Sequence, residues 1–326
     1  MPIVDVHTHM FTRRWLELLR ANGDPYHVEV RPDGREEIFR GATPVVFPQP
    51  GHFDYGIRME HMDRAGIDVS IVSLTCPNVY WGGEAVSVTA ARESNDSMAE
   101  AERAYPGRIK WFTSLPWQYP ARAVEELTRT CDLGAAGVMV LANIAGRSLT
   151  ELAFAPIWAE IDRRGLPVLV HPGEPPGADF MDMGSYDLSW SVGFMFDTTL
   201  AITRMVFDGF LDRFANLKLI VAHGGAALPY LVGRFAKGDE VELPSRRRIA
   251  AHPLEYLRRM YYDCITYDLG ALRYLISVVG AERVLFGTDW PHQVHDVAGS
   301  LANTAALPPD QRDAIRGSNA IGLFRL

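Results

Sequence analysis

The chain has 326 residues, of which 48% are hydrophobic and 22% are charged, and its formal net charge at pH 7 is −8. This composition is typical of a globular protein with enough apolar side chains for one large core. An acidic chain lacks the basic face that nucleic-acid binding requires, so we expect no nucleic-acid partner. No basic segment followed by an apolar one opens the chain, and no segment offers about 20 uninterrupted apolar residues. We therefore expect a cytoplasmic protein with no membrane partner.

Short apolar and β-branched runs recur along the chain, and stretches with helical periodicity separate them. Near-continuous apolar runs are typical of parallel strands that are covered on both faces. Eight such runs favour a closed (β/α)8 TIM barrel over an open doubly wound sheet, because no glycine-rich phosphate fingerprint follows any of them. The predicted strands are PIVDVH near the start and residues 68–75, 109–116, 136–142, 167–172, 217–225, 260–268 and 283–291.

Two stretches exceed the minimal strand–helix unit, and both follow strands that carry candidate metal ligands. Residues 10–56 separate the first strand from its helix and are predicted to form a small insertion over the barrel mouth, with room for a hairpin. Residues 173–195 form a second long loop after the fifth strand. Long loops inside compact domains tend to be functional. We expect a single domain that spans residues 1–326.

The three cysteines are Cys76, Cys131 and Cys264, an odd number with no paired spacing. A disulfide framework or a thiolate metal site would need paired spacings. The sequence therefore predicts reduced and mostly buried thiols.

Four histidines and one aspartate lie at the predicted carboxyl ends of four strands, the face on which barrel active sites are built. His7 and His9 are two residues apart on the first strand, so both side chains can point to the same side. His171 ends the fifth strand, His223 the sixth and Asp289 the eighth. Each histidine alone could be an ordinary core or surface residue. Burying all five groups without a shared partner would be costly, so their joint placement predicts a metal site.

The other histidines are His27, His52, His61, His252, His292 and His295. We interpret them as ordinary core or surface residues, with one exception. His292 follows the eighth strand and lies beside the predicted site.

The motifs VDVHTH, LVHPGE, VAHGG and LFGTDWP resemble those of the amidohydrolase superfamily, in the order and at the strand ends typical of that superfamily. The resemblance spans essentially the whole chain. It is closest to the decarboxylase branch typified by 2-amino-3-carboxymuconate-6-semialdehyde decarboxylase, which also includes decarboxylases of hydroxybenzoates. The resemblance implies a metal-dependent TIM-barrel enzyme that forms a homodimer.

The resemblance also implies a ligand set, in which His7, His9, His171 and Asp289 hold one divalent metal ion. Binuclear members carry a bridging lysine at the end of strand four, whereas that strand here reads AAGVMVLANIAG and contains no lysine. Zinc suits three nitrogen donors and one oxygen donor, and manganese is the alternative. His223 would transfer a proton at the metal-bound water, with a role as fifth ligand as the alternative. Asp289 would also handle a proton at the reacting carbon.

Substrate contacts are implied for Arg58, Trp190 and His292. Arg58 begins the second helix, where its planar fork would hold a substrate carboxylate, and the alternative is a solvent-facing arginine. Trp190 would pack on the substrate, or else pack within its own loop. Arginines at 246–248 form a basic run, from which one side chain could reach a partner's active site. A solvated charged face is the commoner meaning of such a run.

The expected reaction is non-oxidative decarboxylation of a hydroxybenzoate- or carboxymuconate-like acid, through protonation at carbon or attack by metal hydroxide. The alternative is a hydrolase of a lactone, amide or carbon–carbon bond, or a hydratase, because a fold does not fix a reaction. Glu174 is a carboxylate that a hydrolytic site could use. Trp290 and His292 depart from the tyrosine and phenylalanine common at those positions, which affects the substrate more than the metal. A non-catalytic metal-binding barrel is a further alternative. It would need a damaged site, yet all five candidate residues of the metal site are intact.

Overall fold

The computed structural model describes residues 1–175, 177–241 and 249–326. Its strands are β1 (Val4–His9), β2 (Tyr26–Val30), β3 (Glu36–Arg40), β4 (Thr43–Val46), β5 (Val69–Ser73), β6 (Ile109–Ser114), β7 (Gly137–Leu141), β8 (Asn143–Ile144), β9 (Arg147–Ser148), β10 (Pro167–His171), β11 (Lys218–Val221), β12 (Tyr261–Asp263) and β13 (Val284–Leu285). Its helices are α1 (Arg13–Asn22), α2 (Tyr55–Ala65), α3 (Glu84–Ala104), α4 (Pro120–Asp132), α5 (Ala155–Arg164), α6 (Phe194–Phe207), α7 (Phe210–Arg213), α8 (Leu228–Glu240), α9 (Pro253–Arg259), α10 (Leu269–Val279), α11 (Val297–Ala305), α12 (Pro309–Asp313) and α13 (Asn319–Phe324).

Eight of these strands form one parallel sheet in the order β1-β5-β6-β7-β10-β11-β12-β13. Backbone hydrogen bonds join its two edges, from the Val6 amide to the Phe286 carbonyl at 3.0 Å and from the Asp289 amide to the His7 carbonyl at 2.9 Å. The sheet therefore closes on itself with helices between its strands, and the predicted (β/α)8 TIM barrel is confirmed.

The barrel strands are buried almost throughout, as their apolar runs predict for strands covered on both faces. Packing between neighbouring strands is close at Gly137 of β7, where an added Cβ would lie 2.5 Å from the Pro167 carbonyl oxygen. Outside the barrel, the indoles of Trp117 and Trp158 pack with centroids 4.8 Å apart. The core thus extends from the strands into the surrounding helices.

The helix boundaries follow local sequence signals. Asp54 caps α2 by accepting a hydrogen bond from the Gly56 amide at 2.7 Å, and Gly66 ends that helix in the left-handed conformation. Gly165 ends α5 in the same way with φ of +61°, as its position predicts. Helix α3 ends at Ala104, two residues before Pro106.

Residues 10–56 form more secondary structure than the single hairpin that the sequence suggested. They form α1 and an antiparallel sheet in the order β2-β3-β4. Residues of β3 and β4 line the same cavity as the barrel's histidines, which supports an insertion over the mouth. The single-domain organisation of residues 1–326 stays a prediction.

The last strands are shorter than the sequence predicts. β11 ends at Val221 and β13 at Leu285, so His223 and Asp289 lie in the turns that follow rather than at the strand ends. Both have positive φ, +54° and +60°, a conformation incompatible with a continuing strand.

The cysteines are free, with Cys76 and Cys264 buried and Cys131 half-buried, so the prediction of reduced and mostly buried thiols is confirmed. No helix among the described residues has the length and apolar character needed to cross a membrane.

Candidate metal centre

Two imidazoles of β1 define the centre of the site. His7 and His9 are fully buried, and their Nε2 atoms lie 3.1 Å apart. The pairing of β1 with β5 shifts register between Asp5 and Thr8, a bulge-like irregularity that re-aims side chains at this end of the strand. The prediction that both rings point to the same place is confirmed.

The other two predicted ligands meet these rings. Asp289 places Oδ1 3.3 Å from Nε2 of His7 and 3.1 Å from Nε2 of His9. The ring of His171 has its centroid 5.1 Å from that of His7 and 4.9 Å from that of His9. The structure thus brings all four residues together from three separate segments of the chain.

His223 and His292 complete the cluster. The Nε2 atom of His223 lies 3.8 Å from Oδ2 of Asp289. Ligand atoms of His7, His171, His223 and Asp289 all lie within 4.8 Å of one another, and so do those of His9, Asp289 and His292. The position of His223 is compatible with a proton-transferring role and with metal ligation.

Hydrogen bonds behind the rings fix their orientation. The Nδ1 atom of His7 lies 2.7 Å from Oδ2 of Asp263, and Nδ1 of His171 lies 2.8 Å from the Pro172 carbonyl oxygen. Because a carboxylate and a carbonyl only accept, Nδ1 carries the proton in both rings, and Nε2 is left for the cluster.

Asp263 is a functional residue that the sequence reasoning missed. Its carboxylate also accepts hydrogen bonds from the amides of His223 at 2.8 Å and Gly224 at 2.9 Å, so it joins β12 to the turn that carries His223. Gly224 has φ of +60°, and an added Cβ would lie 2.7 Å from Cγ2 of Thr266. A carboxylate that ends a barrel strand was the available signal.

The charge states suit a cation. Burial lowers the pKa of His9 to about 3, and burial with neighbouring imidazoles lowers the pKa of His171 well below its usual value. Burial alone would raise the pKa of Asp289, but the surrounding imidazoles outweigh it and lower that pKa well below its usual range. Burial also lowers the pKa of His7, yet its hydrogen bonds to Asp263 and Asp289 outweigh burial and raise it to about 10. A cation at Nε2 would compete with that proton.

The donor set fits one divalent cation. It combines imidazoles with a carboxylate at spacings that one ion can bridge. In addition, the buried Nδ1 atom of His223 has no hydrogen-bond partner among the described residues. This nitrogen is therefore free for a group that the cluster would bind.

Arg58 lies in the first turn of α2, as predicted, and its side chain turns toward β1. It is 1% exposed, so it is not solvent-facing. Its guanidinium donates to Oγ1 of Thr8 and to the His9 carbonyl, both at 2.5 Å, and lies 4.5 Å from the ring centroid of Trp290. These donors point at β1, and Arg58 is not among the residues that line the cavity. Its contact with a substrate carboxylate stays a prediction.

A cavity of about 1100 Å³ opens onto the cluster. His171, His223, Asp289 and His292 line it, as does Trp190, so the predicted substrate contacts of Trp190 and His292 are compatible with their positions.

The sequence did not predict some residues that line this cavity, and one residue that it suggested for the site does not line it. Thr75 and Cys76 line it without having been predicted, and Oγ1 of Thr75 lies 3.2 Å from Nε2 of His292. Glu174 is paired with Arg40 and does not line the cavity. The arginines at 246–248 lie outside the described residues.

A buried carboxylate supports the loop after β10 and was also missed. Oδ2 of Asp197 accepts hydrogen bonds from the Gly173 amide at 2.9 Å and from Nδ2 of Asn143 at 3.0 Å. Burial raises the pKa of Asp197 to about 7. This contact anchors the chain two residues after His171.

Known proteins are similar to this chain over nearly its whole length. The family described as "Amidohydrolase" matches residues 4–326. A 2-amino-3-carboxymuconate-6-semialdehyde decarboxylase of Dictyostelium discoideum is 29% identical over 340 residues, which cover 99% of this chain and 91% of that protein.

Two solved structures share the fold. The 5-carboxyvanillate decarboxylase of Sphingomonas paucimobilis is 25% identical with a TM-score of 0.87, covering 100% of this chain and 99% of that one. A dihydroxybenzoic acid decarboxylase of Polaromonas sp. JS666, solved with bound manganese and the inhibitor 2-nitroresorcinol, is 24% identical with a TM-score of 0.82, covering 100% and 97%.

Proposed function

The chain belongs to the amidohydrolase family, and on that premise we propose that it is a metal-dependent decarboxylase of aromatic or unsaturated carboxylic acids. The observation that carries the proposal is the buried cluster of imidazoles around Asp289, which faces a cavity large enough for an aromatic acid. The similarity to decarboxylases favours this reaction over hydrolysis. Glu174, the carboxylate that a hydrolytic site could have used, is paired with Arg40 and does not line the cavity.

We propose that His7, His9, His171 and Asp289 hold one divalent ion. When bound, such an ion supplies a Lewis acid that orients the substrate carboxylate and a neighbouring oxygen. Zinc fits three nitrogen donors and one oxygen donor, with manganese as the alternative. Metal analysis of the purified protein, expressed as ions per chain, tests both the number and the identity.

His223 and Asp289 are proposed to move the proton. Nε2 of His223 and Oδ2 of Asp289 lie 3.8 Å apart at the wall of the cavity, so either group is placed to deliver a proton to the carboxylate-bearing ring carbon of an acid bound there. When that carbon gains the proton, its bond to the carboxylate breaks, carbon dioxide leaves, and the bonding electron pair restores the aromatic ring. Solvent then returns the proton to the pair.

Carbon dioxide release from a panel of hydroxybenzoates and carboxymuconate-like acids tests the reaction. His223→Ala removes the proton carrier, and we expect a loss of turnover of about 10²–10⁴-fold, the usual contribution of general acid–base catalysis. His252→Ala is the matched control, because His252 is an exposed histidine that caps α9 away from the cavity. Full activity in His223→Ala would show that the catalytic assignment is wrong.

Two further proposals concern assembly and location, and the first of them rests on the family resemblance. A homodimer is proposed, and light scattering of the purified protein tests it directly. A cytoplasmic location is also proposed, and fractionation of the expressing cells tests that.

A further inference from the structure

The cavity is much larger than a single-ring acid requires. Its volume is about 1100 Å³, slightly above the range of about 300–1,000 Å³ that is usual for pockets of drug-sized ligands. A cavity of about 150 Å³ already holds a benzene ring. A one-ring substrate at the metal-binding cluster would therefore leave most of this volume to solvent.

Aromatic side chains line the cavity beyond the cluster. The aromatic wall consists of Trp190, Tyr230, Tyr267 and Tyr274, which are 42%, 80%, 44% and 45% exposed. They come from the segment after β10, from α8, from the loop after β12 and from α10. Partly exposed aromatic side chains that share one cavity are typical of a ligand-binding surface.

The wall is held in place by local structure. The rings of Trp190 and Tyr267 have centroids 6.3 Å apart with planes at 61°, so two separate loops meet there. Tyr267 has φ of +56°, a strained conformation for a bulky residue of the kind that concentrates at functional sites. The hydroxyl of Tyr274 donates to the Pro229 carbonyl at 3.1 Å, which fixes its ring against α8.

The described lining of the cavity offers no unpaired cation for a second carboxylate. Its one arginine is Arg35, whose Nε donates to Asp33 at 2.8 Å at an exposed position. Glu37 is paired with Arg31, and Asp187 is an exposed anion that would repel a negative group. Burial raises the pKa of the Tyr267 phenol, which therefore stays neutral.

We propose that the preferred substrate is an aromatic acid with one carboxylate, placed at the metal-binding cluster, and a second, uncharged aromatic or similarly bulky apolar group that packs on the aromatic wall. This inference rests on the proposed decarboxylase function and specifies its substrate class.

The experiment compares five acids with the metal-loaded enzyme: 2-hydroxybenzoate, its 4- and 5-phenyl derivatives, and the two corresponding carboxyphenyl derivatives. We expect one phenyl derivative to have at least a tenfold higher kcat/KM than 2-hydroxybenzoate, mainly through a lower KM. The added carboxylate should cancel that gain. Equal or better turnover of 2-hydroxybenzoate overturns the inference and leaves the proposed function intact.

If none of the acids releases carbon dioxide, binding measurements separate the proposed decarboxylase function from the proposed substrate class. In that case the proposed function fails for this panel, and calorimetry with the same acids still decides the substrate class. A phenyl derivative that binds no more tightly than 2-hydroxybenzoate overturns the inference.

A pair of variants locates the effect on the aromatic wall. Trp190→Ala should reduce the preference for the phenyl derivative over 2-hydroxybenzoate by about three- to tenfold, the size of an aromatic pair interaction. Phe196→Ala is the matched control, because Phe196 is a 46% exposed aromatic residue close in sequence that does not line the cavity. If both variants change the preference equally, the wall is not the binding surface.

Discussion

Replacing Asp263 by asparagine tests whether a residue outside the ligand set controls the metal. Its two carboxylate oxygens accept from Nδ1 of His7 at 2.7 Å and from the amides of His223, Gly224 and Ile265 at 2.8–3.0 Å. Asparagine has only one acceptor oxygen, so its NH2 group must take the place of the other carboxylate oxygen and face donors there. Either the ring of His7 loses its fixed tautomer, or the turn that carries His223 loses its anchor.

The expected loss of metal affinity is about 10–100-fold, as for other groups that orient a metal-binding histidine. That corresponds to about 1.4–2.7 kcal/mol of binding free energy. Unsatisfied buried donors should also lower the free energy of unfolding by about 1–3 kcal/mol. The assay is competition with a chromogenic chelator, at a temperature where both proteins are folded.

Asp212→Asn is the matched control for Asp263→Asn. Asp212 accepts from the Tyr256 hydroxyl and from the Ala250 amide, so its variant also loses hydrogen bonds, but none at the metal-binding cluster. It should lower stability and leave metal affinity unchanged. Wild-type affinity in Asp263→Asn would refute the argument that this carboxylate holds His7 for the metal.

Three further predictions concern other parts of the molecule. Arg58→Lys should destabilise the fold by about 1.5–3 kcal/mol, because Arg58 donates hydrogen bonds that hold β1. It should also lower kcat more than it raises KM, because Arg58 does not line the cavity. A change confined to KM would indicate a substrate contact instead. Chelation of the metal should abolish decarboxylation, and added zinc or manganese should restore it. Burial raises the pKa of Asp197 from 3.8 to about 7, so between pH 4 and 7 the folded protein keeps a proton that the unfolded chain releases. The free energy of unfolding should therefore fall by up to about 1.4 kcal/mol per pH unit across this interval. Urea denaturation at several pH values should show this decline in the wild type and a smaller one in Asp197→Asn.

The sequence predicts the barrel well because its strands are buried on both faces and therefore read as continuous apolar runs. Each predicted run overlaps an observed strand. The cluster is predictable for a related reason, since the carboxyl ends of parallel barrel strands meet on one face. His7 and His9 on one strand, and His171 at the end of another, needed only that topology to be brought together.

The missed features depend on side-chain direction, which topology does not fix. Arg58 sits at the expected place on α2, yet its guanidinium turns to the carbonyl of His9 and the ring of Trp290. Asp197 lies within a helix, and only the folded chain shows that it reaches the Gly173 amide. Strand-end positions and helical periodicity carry no information about either contact.

Barrel closure and the metal site share the same hydrogen bonds. The amide of Asp289 donates to the His7 carbonyl at 2.9 Å, and the amide of His9 donates to the Trp290 carbonyl at 2.8 Å. The hydroxyl of Thr8 donates to the Trp290 carbonyl at 2.7 Å and also accepts from Arg58. These bonds join the first and last strands, and they also hold Asp289 against the two imidazoles of β1. Variants along this seam should therefore lose stability and metal binding together, whereas Asp263 acts from a neighbouring strand and can affect the metal more than the fold.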